Sequence, residues 1–300
     1  MKIYLVLLSV FLVTISNQAF ADTEFSIRSK GSDPKQLLTI DVKEEHNEII
    51  VSKQNVVYDI KIESKDEKKQ KNSRIELVTL HTDERTIKNI KKEGIEVLKK
   101  NLSTQILNSV GIAQEELELE IENNSHCPGL TYTILKDFNV INHIQKNNSN
   151  NDFFNSIVQQ LVDNENYSRI PEEPLGVGAE WKYDYKKKVI PLDHDTSIEG
   201  GCRIVEQTKE LTELVCVERS STTIDNIVVN HEKFGDDIPT KIDVKTDWLS
   251  NIIFKKGKLP YLKFSQYTII TKTDFINKNK PYNQPTKEFI KYKYTKKPIN

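Results

Sequence analysis

The sequence predicts an α+β protein: one large, mostly antiparallel curved sheet, or a partly open barrel, with two helices packed on it. Three observations lead there. Many short runs alternate apolar and polar residues, as half-buried strands do. Two stretches instead repeat their apolar residues at threes and fours, the period of an amphipathic helix. Strands and helices do not alternate regularly, which argues against a doubly wound nucleotide-binding fold.

The chain opens on a leader. Lys2 is a short basic start, Ile3 to Ile15 is an apolar run, and Ala19-Phe20-Ala21 is the small-x-small pattern that signal peptidase reads. The run is too short to span a bilayer comfortably, and no stop-transfer segment follows. Residues 1–21 are therefore read as a signal peptide cleaved between Ala21 and Asp22. Residues 22–300 are read as a single β-rich domain, or as two sub-halves, 22–165 and 166–300.

The mature chain begins as a meander. Leu38, Ile40 and Val42 alternate with polar residues, Glu45 to Glu48 turns, and Ile49 to Val51 returns. Val56, Tyr58, Ile60 and Ile62 form the next alternating run. Glu63 to Ser73 has no apolar residue and reads as a solvated hairpin tip, before Ile75 to Leu80 resumes strand character. From Glu84 to Val110 the period changes. Ile87, Ile90, Val97, Leu98, Leu102, Ile106 and Val110 predict a helix that Gly94 weakens in its middle. Leu117 to Ile121 and Leu130 to Leu135 read as strands, with a turn at Asp137-Phe138-Asn139. After a polar linker, Lys146 to Asn151, a second helix is predicted over Asp152 to Val162, with Phe153, Ile157 and Leu161 on one face. From Trp181 onward strands and turns dominate.

Charge and cysteines bound the function. Formal net charge is −1, and −2 once Lys2 leaves with the leader, without the basic excess of a nucleic-acid binder. The Lys, Asn and Ile bias looks like the drift of an AT-rich genome. No second apolar segment in the mature chain is long enough for a membrane helix, and no Cys follows the leader to carry a lipid. An exported chain meets an oxidising compartment, so pairing among Cys127, Cys202 and Cys216 is expected. Three single bridges are open. A hairpin centred on Lys209 sets Ile204 opposite Leu214 and Cys202 opposite Cys216 on one face, which favours that pair. Cys127 is then free, buried or intermolecular. The sequons at Asn101, Asn123, Asn147 and Asn166 read as coincidence in so Asn-rich a chain.

One motif stands out, Pro171-Glu172-Glu173-Pro174-Leu175-Gly176-Val177-Gly178-Ala179-Glu180-Trp181. The prolines fix an extended approach, Gly176 and Gly178 open conformations closed to other residues, and Trp181 brings a large ring into a strand. The expected role is a corner and a core plug. Gly176-x-Gly178 lacks the third glycine and the following helix of a dinucleotide fingerprint. Trp181, Tyr183 and Tyr185 share one strand face, opposite Lys182, Asp184 and Lys186.

On Pro171, Pro174, Leu175, Val177, Gly178 and Trp181 the chain resembles a set of exported bacterial β-rich proteins without assigned activity. Leu130 to Val140 also looks like a strand-turn-strand that precedes the motif in them, with Phe138-Asn139 where they usually carry a glycine turn. The resemblance implies a cell-envelope location and a curved sheet similar to that of lipoprotein carriers. It implies no catalytic residue.

Chemistry-bearing clusters are sparse. His126-Cys127 lies beside Pro128-Gly129 and reads as a turn, since a thiol nucleophile needs an activating base from elsewhere. Asp193-His194-Asp195 lacks a second ligand group for zinc, and Asp236-Asp237 lacks the spaced oxygens of a calcium loop. Lys186-Lys187-Lys188 reads as edge protection rather than a lipid-headgroup contact. No catalytic residue, metal ligand or cofactor is assigned. The expected function is non-enzymatic binding of a lipid, another apolar ligand or an envelope protein in the sheet's concavity, in the periplasm or outside the cell. Two alternatives stand: a hydrolase built from dispersed His, Asp and Cys residues, and a secreted interaction factor of a host-associated organism.

Overall fold

The computed structural model describes residues 14–16, 24–64, 70–113, 115, 117–118, 130–136, 138, 140–142, 169–190, 194–231, 235–275 and 285–299. Its strands are β1 (Thr14–Ser16), β2 (Glu24–Ser29), β3 (Asn47–Ser64), β4 (Lys71–Ile90), β5 (Gly94–Val110), β6 (Leu130–Leu135) and β7 (Val140–Asn142). They continue as β8 (Glu180–Ile190), β9 (His194–Gln207), β10 (Leu211–His231), β11 (Gly235–Lys255), β12 (Tyr261–Phe275) and β13 (Pro285–Pro298). All belong to one sheet in the order β1-β8-β9-β10-β11-β12-β13-β3-β4-β5-β6-β7, with β2 also on β8. Every pairing is antiparallel. The join of β13 to β3 pairs the last strand of the chain with residues 52–64 in mid-sheet.

The sheet curls on itself without closing. Its buried core draws Ile87, Ile95, Val97, Tyr132, Ile134 and Val140 from one end of the strand order. From the other end come Trp181, Ile204, Leu214, Ile252 and Leu262. Phe138 after β6 meets Phe254 of β11 edge to face, centroids 4.9 Å apart. A latch holds the curl. Arg85 of β4, 1% exposed, donates to the Pro260 carbonyl at 2.9 Å and to Glu48 Oε2 at 3.1 Å. Glu48 Oε1 accepts from the Leu259 amide at 3.0 Å. The β11–β12 turn is thereby tied to β3 and β4, and the two terminal nitrogens of the buried guanidinium meet a carbonyl and a charge partner.

This architecture overturns the α+β expectation: no helices pack on the sheet among the described residues. The helix predicted over Glu84 to Val110 is the end of β4, a turn at 91–93 and the whole of β5. Exposed Leu102 and Val110 mix with inward apolar residues, and β-bulges shift the phase. Inward-facing Asn101 and Thr104 are three residues apart, yet pair with Asp83 and His81, two apart. An extra residue in one strand turns a spacing of two into three and imitates a helical period. The second predicted helix, at 152–162, lies outside the described residues. Two further expected strands differ among the described residues. Residues 38–43 run without strand pairing, and Leu117 belongs to a helical turn in which its amide donates to the Ala113 carbonyl.

Candidate functional site

The Pro171–Trp181 segment forms the corner leading into β8. Pro171 is buried and Pro174 exposed. The corner crosses residues 30–36 at backbone contact. Gly176 N donates to the Lys30 carbonyl, Ser32 N to the Val177 carbonyl, and Gln36 and Leu175 exchange both bonds, all at 2.9 Å. A Cβ on Gly176 would overlap the Ser32 carbonyl, so the crossing requires glycine. Gly178 adopts φ 81°. Trp181 is 1% exposed and donates from Nε1 to the Arg169 carbonyl at 2.9 Å. The Arg169 guanidinium lies 4.7 Å above the Tyr185 ring. Tyr183 lies opposite Gly200, which lies opposite Glu218. The missing side chain at Gly200 lets the Tyr183 ring pass over β9 and donate to Glu218 Oε1 at 2.7 Å. Cys202 and Cys216 are directly opposed and bridged, with Cα atoms 4.1 Å apart.

Above this apolar base the inner face turns polar. One rung of the sheet runs through Cys216, Ser250, Ser265, Lys296, Gln54 and Thr79. Ser250, Ser265, Lys296 and Thr79 are all buried, and Trp248 Nε1 donates to Ser265 Oγ at 2.9 Å. The neighbouring rungs add Ser52, His81 and Thr104, then Asp83 and Asn101. Thr79 and Thr104 hydroxyls hold the two His81 nitrogens at 2.8 and 3.0 Å. Asn101 donates to Asp83 Oδ1 at 2.9 Å, and Lys99 Nζ lies 3.5 Å from Asp83 Oδ2. Burial lowers the His81 pKa to about 4; Asp83 opposes the shift, while Lys296 and Lys99 reinforce it. His81 is therefore neutral at physiological pH.

Beyond the belt the inner face becomes aliphatic again. Val56, Tyr58, Ile62, Ile75, Leu77, Ile106 and Ile269 are half-buried. The surface continues onto β10 and β11 as buried Ile224, Ile242 and Val244, none of which belongs to the continuous core. Burial pushes the Tyr58 hydroxyl up to about 12. The outer faces of the same strands carry Lys53, Asp59, Lys61, Arg74, Glu76 and Lys245. β6 pairs only with Gly94 to Lys99, so β5 beyond Lys99 has no second neighbour among the described residues, and Asn101 is exposed there.

Of the residues singled out from sequence, Pro171, Pro174, Gly176, Gly178 and Trp181 gather at the corner, and Cys202 and Cys216 lie on the adjoining rung. The structure does not bring His194 or Asp236-Asp237 to the belt as a described site. His194 pairs with Val189, and the two aspartates lie in the first turn-side residues of β11. His126, Cys127 and Asp193 lie outside the described residues, as do the leader's Ala19-Phe20-Ala21 and Asp22, and the sequons Asn123, Asn147 and Asn166. Asn101 is in β5 and Lys186 is exposed in β8. Among the described residues no cluster of three or more His, Cys, Asp or Glu could hold a metal ion. The belt itself was missed. Its signal was there: His81, Asp83 and Arg85 stand in phase with Ile75, Leu77 and Ile87, so polar side chains occupy the apolar parity of one strand.

No family model and no curated relative matches the chain. Among solved structures, an outer membrane channel from Pseudomonas putida F1 aligns over 83% of this chain and 96% of its own length, at 6% identity and a TM-score of 0.14. That score is too low to carry a likeness of fold.

Proposed function

We propose that this is an exported, non-enzymatic binding protein that takes an apolar ligand into the concavity of its sheet. The observation that carries the reading is the distal inner wall. Val56, Ile62, Ile75, Leu77, Ile106 and Ile269 point inward by the same parity as the core, yet stay only half-covered. Half-covered aliphatic side chains in a concavity gain roughly 25 cal/mol per Å² when a ligand removes them from water. Export is supported by the leader and by the Cys202–Cys216 bridge, which suits an oxidising compartment. The test is mass spectrometry of an organic extract of the chain purified after export by its own host. A stoichiometric apolar compound is expected. A clean extract, together with failure of the purified chain to take up a fluorescent fatty-acyl probe, would overturn the proposal.

A further inference from the structure

We infer that the ligand is an uncharged amphiphile with a polyhydroxyl head, and that a patch of hydroxyls on the inner face of β9 to β12 receives that head. This rests on the binding function proposed above and names the class of its ligand. The first observation is the patch. Thr196, Ser220, Thr222, Thr246, Thr271 and Thr273 take the inward parity of Cys216 and Ser250 on four adjacent strands. Thr196 and Thr222 are hydrogen-bonded to each other, as are Ser220 and Thr246 at 2.6 Å. Each such pair uses one hydroxyl hydrogen and leaves the other, with spare lone pairs, for a ligand. Ser220, Thr222 and Thr246 are only half-buried, so they stand within reach of a molecule in the concavity. Thr273 is buried with its hydroxyl unpartnered. Inward parity does not by itself call for hydroxyls, because Ile198, Ile224 and Ile242 fill the same face around them.

The second observation is the charge at this level. Along the rung of Ser220 and Thr246, and the next rung of Thr222 and Thr271, no described inward side chain is charged. The belt's buried charges, Arg85, Lys99 and Lys296 with Glu48 and Asp83, lie on rungs nearer the base. Glu218, one rung below Ser220 on β10, accepts from the Tyr183 and Tyr185 hydroxyls, and its carboxylate disfavours an anionic head beside it. The third is continuity with the aliphatic wall. Thr246 pairs with Ile269, and the same rung continues across β13 to Tyr58 and Ile75. Four inter-strand spacings of about 4.8 Å carry the inner surface from β11 to β4, roughly 19 Å along the curve. That length takes a head on the hydroxyls and a medium-length chain on the wall. Sugar and glycerol hydroxyls both donate and accept, as the patch does, whereas a carboxylate only accepts.

Calorimetric titration of the full chain with octyl glucoside, 1-octanoylglycerol, 1-octanol and octanoate, which share a chain length and differ in the head, tests this. At least one of the two polyol heads should bind about tenfold or more tightly than octanol and octanoate. The tighter of the two tells a sugar head from a glycerol head. Ser220→Ala combined with Thr246→Val removes one hydroxyl pair while keeping side-chain bulk, and should erase the preference without weakening octanol. Equal affinity for the polyols and octanol in the unmodified chain, or tighter binding of octanoate, would overturn the polyhydroxyl assignment and leave apolar binding standing. Binding of none of the four would overturn both. A polyol preference that survives in the folded double variant would place the head elsewhere and also overturn the assignment. Should the double variant not fold, Thr246→Val alone takes its place, and the comparison in the unmodified chain already decides the choice of head.

Discussion

Leu214 and Leu77 hold the same kind of position in two regions of one sheet. Each faces inward from a long antiparallel strand, between a Glu and a Val that take the other face. Leu214 is wholly buried in the continuous core, whereas Leu77 is half-buried beyond the polar belt. Parity decides which face a side chain takes. What lies opposite decides whether that face is core or binding wall. At the base, the two ends of the curled sheet meet and cover each other through residues such as Tyr132, Trp181 and Ile252. Further along the strands most inward side chains of β3, β4 and β5 other than Ile60 are only half-covered by the described residues, which leaves aliphatic surface to a ligand.

The sharpest break of this comparison comes at the base. Trp181→Ala removes the largest fully buried side chain and its bond to the Arg169 carbonyl, and should cost about 3–5 kcal/mol in urea denaturation. A variant that keeps its stability and loses ligand instead would move Trp181 from the core to the site. Next comes the bridge. Replacing both Cys202 and Cys216 by Ser opens a loop with a sequence separation of 14 and should cost about 3 kcal/mol. Non-reducing peptide mapping should link the two, and a link from Cys127 to either would contradict the register.

The belt should show itself through pH. His81 has a folded pKa of about 4 against 6.5 unfolded. Between those values the unfolded chain binds a proton that the folded chain refuses, so stability falls as pH drops from 6.5 and the loss is complete below 4. The full shift corresponds to about 3 kcal/mol. Urea titrations at pH 7 and near pH 4 should show a smaller loss in His81→Gln than in the unmodified chain. An equal loss in both would mean that His81 is not the group that titrates.

The base was more legible in the sequence than the site. The hairpin of β9 and β10 could be read because a short polar turn separates two alternating runs and sets their register; Ile204 opposes Leu214 in the structure. The aromatic face of Trp181, Tyr183 and Tyr185 was equally plain in the alternation, and all three side chains are buried. β4 and β5 were misread because bulges shift the phase within a strand, which no local window reveals. The belt was legible only along β4, for a different reason. Lys296, Lys99 and His81 come together through the pairing of β13 with β3, a contact between distant parts of the chain. Asp83 and Lys99 look like ordinary surface charges until their parity is known.

The central claim is that one alternation serves two uses, core at the base and wall beyond the belt. Leu214→Ala and Leu77→Ala delete the same atoms from the two regions, and urea denaturation of the ligand-free chain compares them directly. The account predicts a loss of about 2–5 kcal/mol for Leu214→Ala and of about 1 kcal/mol or less for Leu77→Ala, because a half-covered side chain leaves little cavity behind. Equal losses at the two positions would show that the distal wall is core, and would contradict the account.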